Sequence, residues 1–446
     1  MEELSRAWAI YLAEFGGPLR TTLPAEPWPK GEASHSPHAP MPGPLSYDVE
    51  MRLSAILLAL GGLCVAAEIP AGTQLQIRLT SALNTASGKV NQPFDAVLIA
   101  PVVIGDQFAM AAGIKVTGHI KEVTAALKPD DQAVLSLSFD QLSDLRGKRV
   151  NLAARLAGVD NARESLDADG RILGIIASQT GSGRLDQGIN KVAERNQGLA
   201  DLLSAIKQSV VKEADANIDY EPGVEMTIEL TKALTWAGAE RPPDVRSIEP
   251  QEQLTRLVQR QPFQTMAAKP PKPSDITNVM FLASQQDIEN AFQQAGWSTA
   301  EDLNAKSKLE TFRALTEMRG YKEAPVSILL LDGRPPDLVF QKQNNTFNAR
   351  HHLRIWHQPG TFQGRDVWVC SATHDTGIDY SEQNRTFIHK VDSEIDRERA
   401  KVVNDLLFTG VVRGLSLVER PAVPPGFYNA TGDKLATDGK MAVLSF

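Results

Sequence analysis

Five of the eight histidines fall between His351 and His389: His351, His352, His357, His374 and His389. Asp375, Asp379, Asp392 and Asp396 lie among or just beyond them. Neutral imidazoles and carboxylates are the usual ligands of zinc and similar ions, and separate strands can assemble such a set. The same groups perform acid–base chemistry. In an extended segment His351 and His352 point to opposite faces, so at most one of them joins a given site. The set expected to form a metal or polar site is His352, His374, Asp375, His389 and Asp392, with a possible divalent metal as cofactor. No compact signature fixes a reaction. The sequence has no His-Glu-x-x-His, and His374-Asp375 follows a strand pattern rather than sitting on a helix. The competing expectation is a structural network of imidazoles bonded to backbone and carboxylate groups.

Arg334, Arg350 and Arg354 form a second candidate group, because guanidinium forks grip anions. Scattered ion pairs would explain them equally well. Trp356 and Trp368, on adjoining strands, are expected to make a cross-strand aromatic pair. Cys370 lies mid-strand; it is expected to be buried and is not read as a nucleophile.

Positioning these residues falls to an α+β region. Ser284 and Asp287 open a capped helix with Ile288, Ala291, Phe292 and Ala295 on its buried face and Gly296 as its stop. Strand patterns follow at Val326–Leu331, Leu338–Lys342, Arg350–His357 and Arg365–Thr373. Ser393 begins another helix, with Glu394 and Asp396 favourable to its dipole and Gly410 at its end.

Upstream the pattern is alternation. Leu75, Ile77 and Leu79 oppose Gln74, Gln76 and Arg78; Leu135, Leu137 and Phe139 oppose Ser136, Ser138 and Asp140. The segment from Pro70 to Leu83 echoes that from Pro222 to Leu234: Gly72 and Gly223 stand at the same interval before the Leu of a shared Leu-Thr-x-Ala-Leu. The echo is consistent either with a common turn reached twice or with the first and last strands of one closed β module, which would leave no exposed edge. Between the copies, a Gly- and Asp-rich stretch precedes a helical insertion at about 190–213. Leu199, Leu203, Ile206 and Val210 share one helix face there, expected to dock on the domain.

The expected fold class is therefore multidomain: a β-barrel-like all-β module with a helical insertion at 68–236, then an α+β domain at 275–420. A Pro-rich linker is expected at 237–274 and a tail at 421–446. Residues 51–67 read as a signal peptide, with Arg52, an apolar run and small residues Val65 and Ala67 before Glu68. That run falls short of the ~20 residues of a membrane span. Residues 1–50 are Pro-rich and are read as disordered or as a mis-assigned start. Net charge is −8 with no long basic run, which argues against nucleic acid as a partner. Membrane contact is expected only if the signal segment is retained as an anchor.

Two family resemblances follow. Ile69-Pro70-Ala71-Gly72-Thr73, Ala112 to Gly118, Leu135 to Asp140 and the Pro222-Gly223 strand resemble the β-barrel domain of TrbI-type proteins of conjugation and type IV secretion channels, over about 69–236. Ala324 to Ser327, Asp332 to Phe340, Arg350 to Trp356, Gly364 to Val369 and His389 to Arg399 resemble the LssY C-terminal domain, over about 275–420. The second resemblance implies a bacterial envelope protein, in a family where this domain often follows a lipid-phosphate phosphatase domain. The chain has no Pro-Ser-Gly-His motif, so phosphatase chemistry does not transfer. The expectation is an exported bacterial envelope or periplasmic protein that binds an envelope component or protein partner. The alternative is a metal-dependent hydrolase of a phosphorylated or glycosidic envelope component.

Overall fold

A computed structural model describes residues 67–446 except 105–106, 145, 238–243, 269–270, 301–309, 311–312, 315, 320, 322–325, 347, 382–385 and 421–426. The backbone alone is described at 107, 209, 378–381, 386–389 and 427. The expected signal peptide and the stretch before it lie outside the described residues, apart from Ala67.

The alternating segments form one nine-stranded antiparallel sheet that curls into a near-closed barrel. Its inner face carries Leu75, Ile77, Leu79, Phe94, Val116, Ile120, Leu135, Phe139, Met226, Ile228 and Leu230, all buried in one cluster. Each such side chain contributes about 1.5–3 kcal/mol through removal from water. Closure is made by a short stretch of chain. Arg149–Asn151 pairs with Val134–Ser143, and Ala154–Val159 pairs with Glu225–Leu230. Between them Leu152 N donates to Asp140 O and Thr231 N donates to Ala153 O, each at 2.8 Å.

The two echoed segments are direct neighbours. Gln74–Leu79 pairs antiparallel with Glu225–Leu230, Arg78 opposite Glu225. The turns interlock reciprocally: Gly72 N donates to Leu230 O at 2.7 Å, and Gly223 N donates to Leu79 O at 2.8 Å. Both glycines have positive φ, 84° and 107°, which explains their residue type. The seam is locally two-fold. Gly118 has a different reason: an added Cβ there would lie 2.6 Å from the Phe94 ring and would strike the Ser138 carbonyl.

The helical insertion is larger than its pattern indicated. Thr180 caps a helix at Gly181–Ala193, which packs antiparallel on a second at Gln197–Val210. Glycines at 181, 183 and 188 hid the first helix. Leu203 and Val210 are half-buried while Leu199 and Ile206 stay exposed, so the apolar face is only partly docked.

The second unit has three layers. A central eight-stranded sheet runs in the order Ser298–Thr299, Leu338–Lys342, Arg350–Phe362, Arg365–Ser381, Val279–Leu282, Met441–Ser445, Gly414–Val418, with Thr386–Val391 also on the long Arg365 strand. Helices Gln285–Gln294 and Ile395–Thr409 cover one face through Phe281, Phe292, Ile355, Cys370 and Leu406. Helix Gln251–Gln259 covers the other through Leu254, Met280, Trp356 and Val369. A separate three-stranded sheet is formed by Gln264–Ala268, Pro271–Ile276 and Leu329–Leu330. The Ser284 cap and the positive-φ stops at Gly296 and Gly410 are present as read.

Two boundaries differ from the sequence reading. The stretch 237–274, expected as an extended linker, contains that helix and strands whose Thr265 and Ser274 are buried. Prolines tolerated at an edge strand, such as Pro271 and Pro273, imitated linker composition. The segment 421–446, expected as a tail, supplies an inner strand: Met441 to Leu444 are fully buried, and Met441–Ser445 runs parallel to Val279–Leu282. A lone short apolar run at a chain end gave no periodicity from which to recognise it.

Candidate functional site

At one end of the seam the barrel's outward face is covered. Arg78 and Glu225, opposite each other, are both buried against the second unit. Arg78 donates to Glu225 Oε1 at 2.6 Å and Lys401 Nζ donates to Glu225 Oε2 at 2.6 Å; Lys342 Nζ donates to Oε1 as well. Lys342 and Lys401 also donate to Asp405 at 2.9–3.0 Å. Burial opposes ionisation of Glu225, yet Lys342, Lys401 and Arg78 hold its carboxyl well below the usual range. The barrel and the second unit therefore meet through a buried ion network, and Val103 of the barrel joins the second unit's apolar core.

Beside this network the loop after Ala154–Val159 brings Asp160 and Asn161 onto the second unit. Asn344 Nδ2 donates to Asp160 O at 3.1 Å, and Asn161, at φ 50°, donates from Nδ2 to Lys342 O at 3.3 Å. His351 stands between two carboxylates: Nδ1 donates to Glu398 Oε2 at 2.7 Å and Nε2 to Asp160 Oδ2 at 2.9 Å. Burial disfavours the imidazolium, but Glu398 and Asp160 overcome it and raise the pKa to about 10. Asp160 moves the other way: burial would raise its pKa, and the charged His351 lowers it to about 2. His374 lies opposite His351 in the strand register, its ring stacked at 4.2 Å. Burial, with charged His351 alongside, pushes its pKa down, and its Nε2 donates to Asn161 Oδ1 at 2.9 Å.

A cavity of about 320 Å³ opens on this group. The barrel contributes Gln76, Gly158, Asp160 and Thr227; the second unit contributes His351, His374, Asp392, Arg397, Glu398 and Lys401.

Strand parity divides the residues expected to converge. His374 and Asp392 line the junction cavity. His352 and Asp375 lie on the opposite face of the sheet, where His352 Nε2 bonds Asp375 Oδ1 at 2.8 Å and Arg350 Nε donates to Asp375 Oδ2 at 3.3 Å. It is His351, not His352, that shares a face with His374. His389 lies on the Thr386–Val391 strand, its side chain outside the described residues. Of the arginines, Arg350 pairs with Asp375, and Arg354 with Asp275 at 3.1 Å and with Ser327. Arg334 donates to the His357 carbonyl in a separate turn. Each of the three thus has a partner within the chain. Trp356 and Trp368 fall on opposite faces, because Trp356 is in register with Val369 and Trp368 with His357. Cys370 is fully buried, which pushes its thiol pKa up.

Sequence reasoning did not find Asp160, Asn161, Glu398 or Glu225. Only Glu398 carried a signal: it lies three residues from Ile395 and four from Val402, hence on the buried side of its helix.

A near-closed β-barrel locked by charge onto a three-layer α+β domain defines the class of molecule. Residues 258–441, most of the second unit, match the family model of the LssY C-terminus. The match begins inside the stretch expected as linker and ends at the first residue of the last strand. Among solved structures, ComB10 of the Com type IV secretion system of Helicobacter pylori aligns over 38% of this chain and 90% of that chain. Its sequence identity is 8% and its TM-score 0.21, too distant to argue from. No curated protein matches the chain.

Proposed function

We propose that this chain is an exported bacterial envelope protein that binds a small polar group of an envelope component in the junction cavity. One observation carries the reading: a cavity of about 320 Å³ is lined by charged side chains from both units. Concave sites at domain junctions with a few convergent polar groups are where ligands bind most often. Filling the cavity from the barrel side, by Thr227→Trp, should remove one component from those captured by the immobilised chain out of envelope extract, as read by mass spectrometry. Identical capture by the variant would overturn the reading.

The export half of the reading rests on the apolar run before Glu68. Strand pairing begins at Ala67, opposite Trp236, so cleavage after Ala67 leaves Glu68 and Ile69 paired. N-terminal sequencing of the envelope fraction should begin at Glu68. A cytoplasmic chain still carrying the Met51 segment would contradict export. A membrane-bound chain retaining that segment would instead show an anchor.

A metal-dependent hydrolase is the second reading, and the trio of Asp160, His351 and His374 favours it.

A further inference from the structure

We propose that Asp160, His351 and His374 bind one zinc-class divalent cation that ties the barrel to the LssY C-terminus domain. The inference deepens the junction-cavity reading by naming what sits at the floor of that cavity. Each of the three offers a ligand atom, and these atoms lie within 4.8 Å of one another. Ligands of a tetrahedral zinc, bonded at about 2.0–2.2 Å, stand roughly 3.3–3.6 Å apart. To hold the ion, the 2.9 Å contact between His351 Nε2 and Asp160 Oδ2 must open to that distance, and the His374 ring, stacked at 4.2 Å on His351, must turn its free nitrogen toward it.

The surroundings match what metal-bound histidines carry, an acceptor on the second ring nitrogen that fixes tautomer and aim. Glu398 serves His351 at Nδ1 and Asn161 serves His374 at Nε2. Glu398 Oε1 is buried with no hydrogen-bond partner among the described residues, which leaves an excess of negative potential beside the imidazole. Two carboxylates gripping one imidazole make a place that demands a cation. In the metal-free chain a proton on His351 Nε2 fills that need; on uptake that proton leaves to solvent and the ion replaces it. With three protein ligands and the cavity in front, a fourth position stays open to water or to an oxygen of the bound component.

The test is calorimetric titration of the chelator-stripped full chain with zinc chloride, run in two buffers of different ionisation enthalpy. The expected result is one ion per chain with release of about one proton. Cobalt in its place should give the visible absorption of a tetrahedral site. His374→Ala and Asp160→Asn, the latter keeping its hydrogen-bonding capacity, should each weaken binding at least ~10-fold, and Glu398→Gln by about 10–100-fold. His352→Ala, on the other face of the sheet, should bind as the parent does. Circular dichroism confirms that each variant is folded. Folded parent that takes up no stoichiometric ion overturns the proposal, as does uptake that survives the Asp160→Asn, His374→Ala double change. If no ion binds while Thr227→Trp still abolishes capture, the ion falls and the cavity reading stands. If the ion binds while Thr227→Trp changes nothing, the site stands and the cavity reading falls.

Discussion

Glu225→Ala should lower the unfolding free energy by about 3–5 kcal/mol, the range for breaking a buried ion network from one side. Glu225 accepts from Arg78, Lys342 and Lys401. Its removal leaves three buried cations around Asp405, with Asp160 facing Lys401 as well. The charge balance, not the lost contact area, sets the size of the effect. Replacing Arg78, Glu225, Lys342, Lys401 and Asp405 together by apolar residues of similar volume should therefore be far milder than Glu225→Ala alone. Urea unfolding of the two variants beside the parent measures this; a Glu225→Ala loss below about 1 kcal/mol would show that water reaches the network.

His351→Ala should have a comparable effect at pH 6 in metal-free protein, about 3–5 kcal/mol, because it strands Asp160 and Glu398 side by side. The pH dependence follows from the sign of the shift. The pKa of His351 is raised from 6.5 to about 10 in the folded chain, so its contribution is complete below pH 6.5. It declines as pH rises from there and is lost through pH 10. The gap between parent and variant should therefore be widest near pH 6 and should narrow steadily toward pH 10. Asp160 works in the opposite direction. Its pKa falls from 3.8 to about 2, so what it contributes is present above pH 3.8 and is lost as pH falls through 2. Lys401 and Glu225 face Asp160, and His374, Glu398 and Asp392 lie near the imidazoles, so the titration belongs to the group. Thermal melts in chelator across pH 6–10 check it; a constant gap would mean that His351 is neutral throughout.

The barrel was legible because its strands obey a period of two, and the Pro70 and Pro222 echo marked the seam itself. The capped helices of the second unit were legible from Ser284, Gly296 and Gly410. The candidate site was legible only in part. His374 and Asp392 were found, but a choice between His351 and His352 required knowing which sheet face meets the barrel. That choice is made by Asp160, far away in sequence and carried by a loop without a pattern. Arg78 and Glu225 were misleading for a related reason. The polar row of a half-buried strand is read as facing solvent, and the sequence contains no mark that another unit covers it. Alternation reports which side chains avoid the barrel's own core, not what lies beyond its surface.

The seam has a consequence for the order in which the molecule can be made. Arg78 and Glu225, opposed across it, are separated by 147 positions along the chain. Bringing such distant strands together pays its loop entropy before any contact repays it, so the barrel is a slow, late-closing element. The surface that receives the LssY C-terminus domain is half built from the last strand to arrive. As the chain emerges, every seam strand precedes that domain, so docking waits on closure of the barrel and not on synthesis of its strands. A chain made from one end would thus assemble in one sequence: barrel, then seam, then the charged lock.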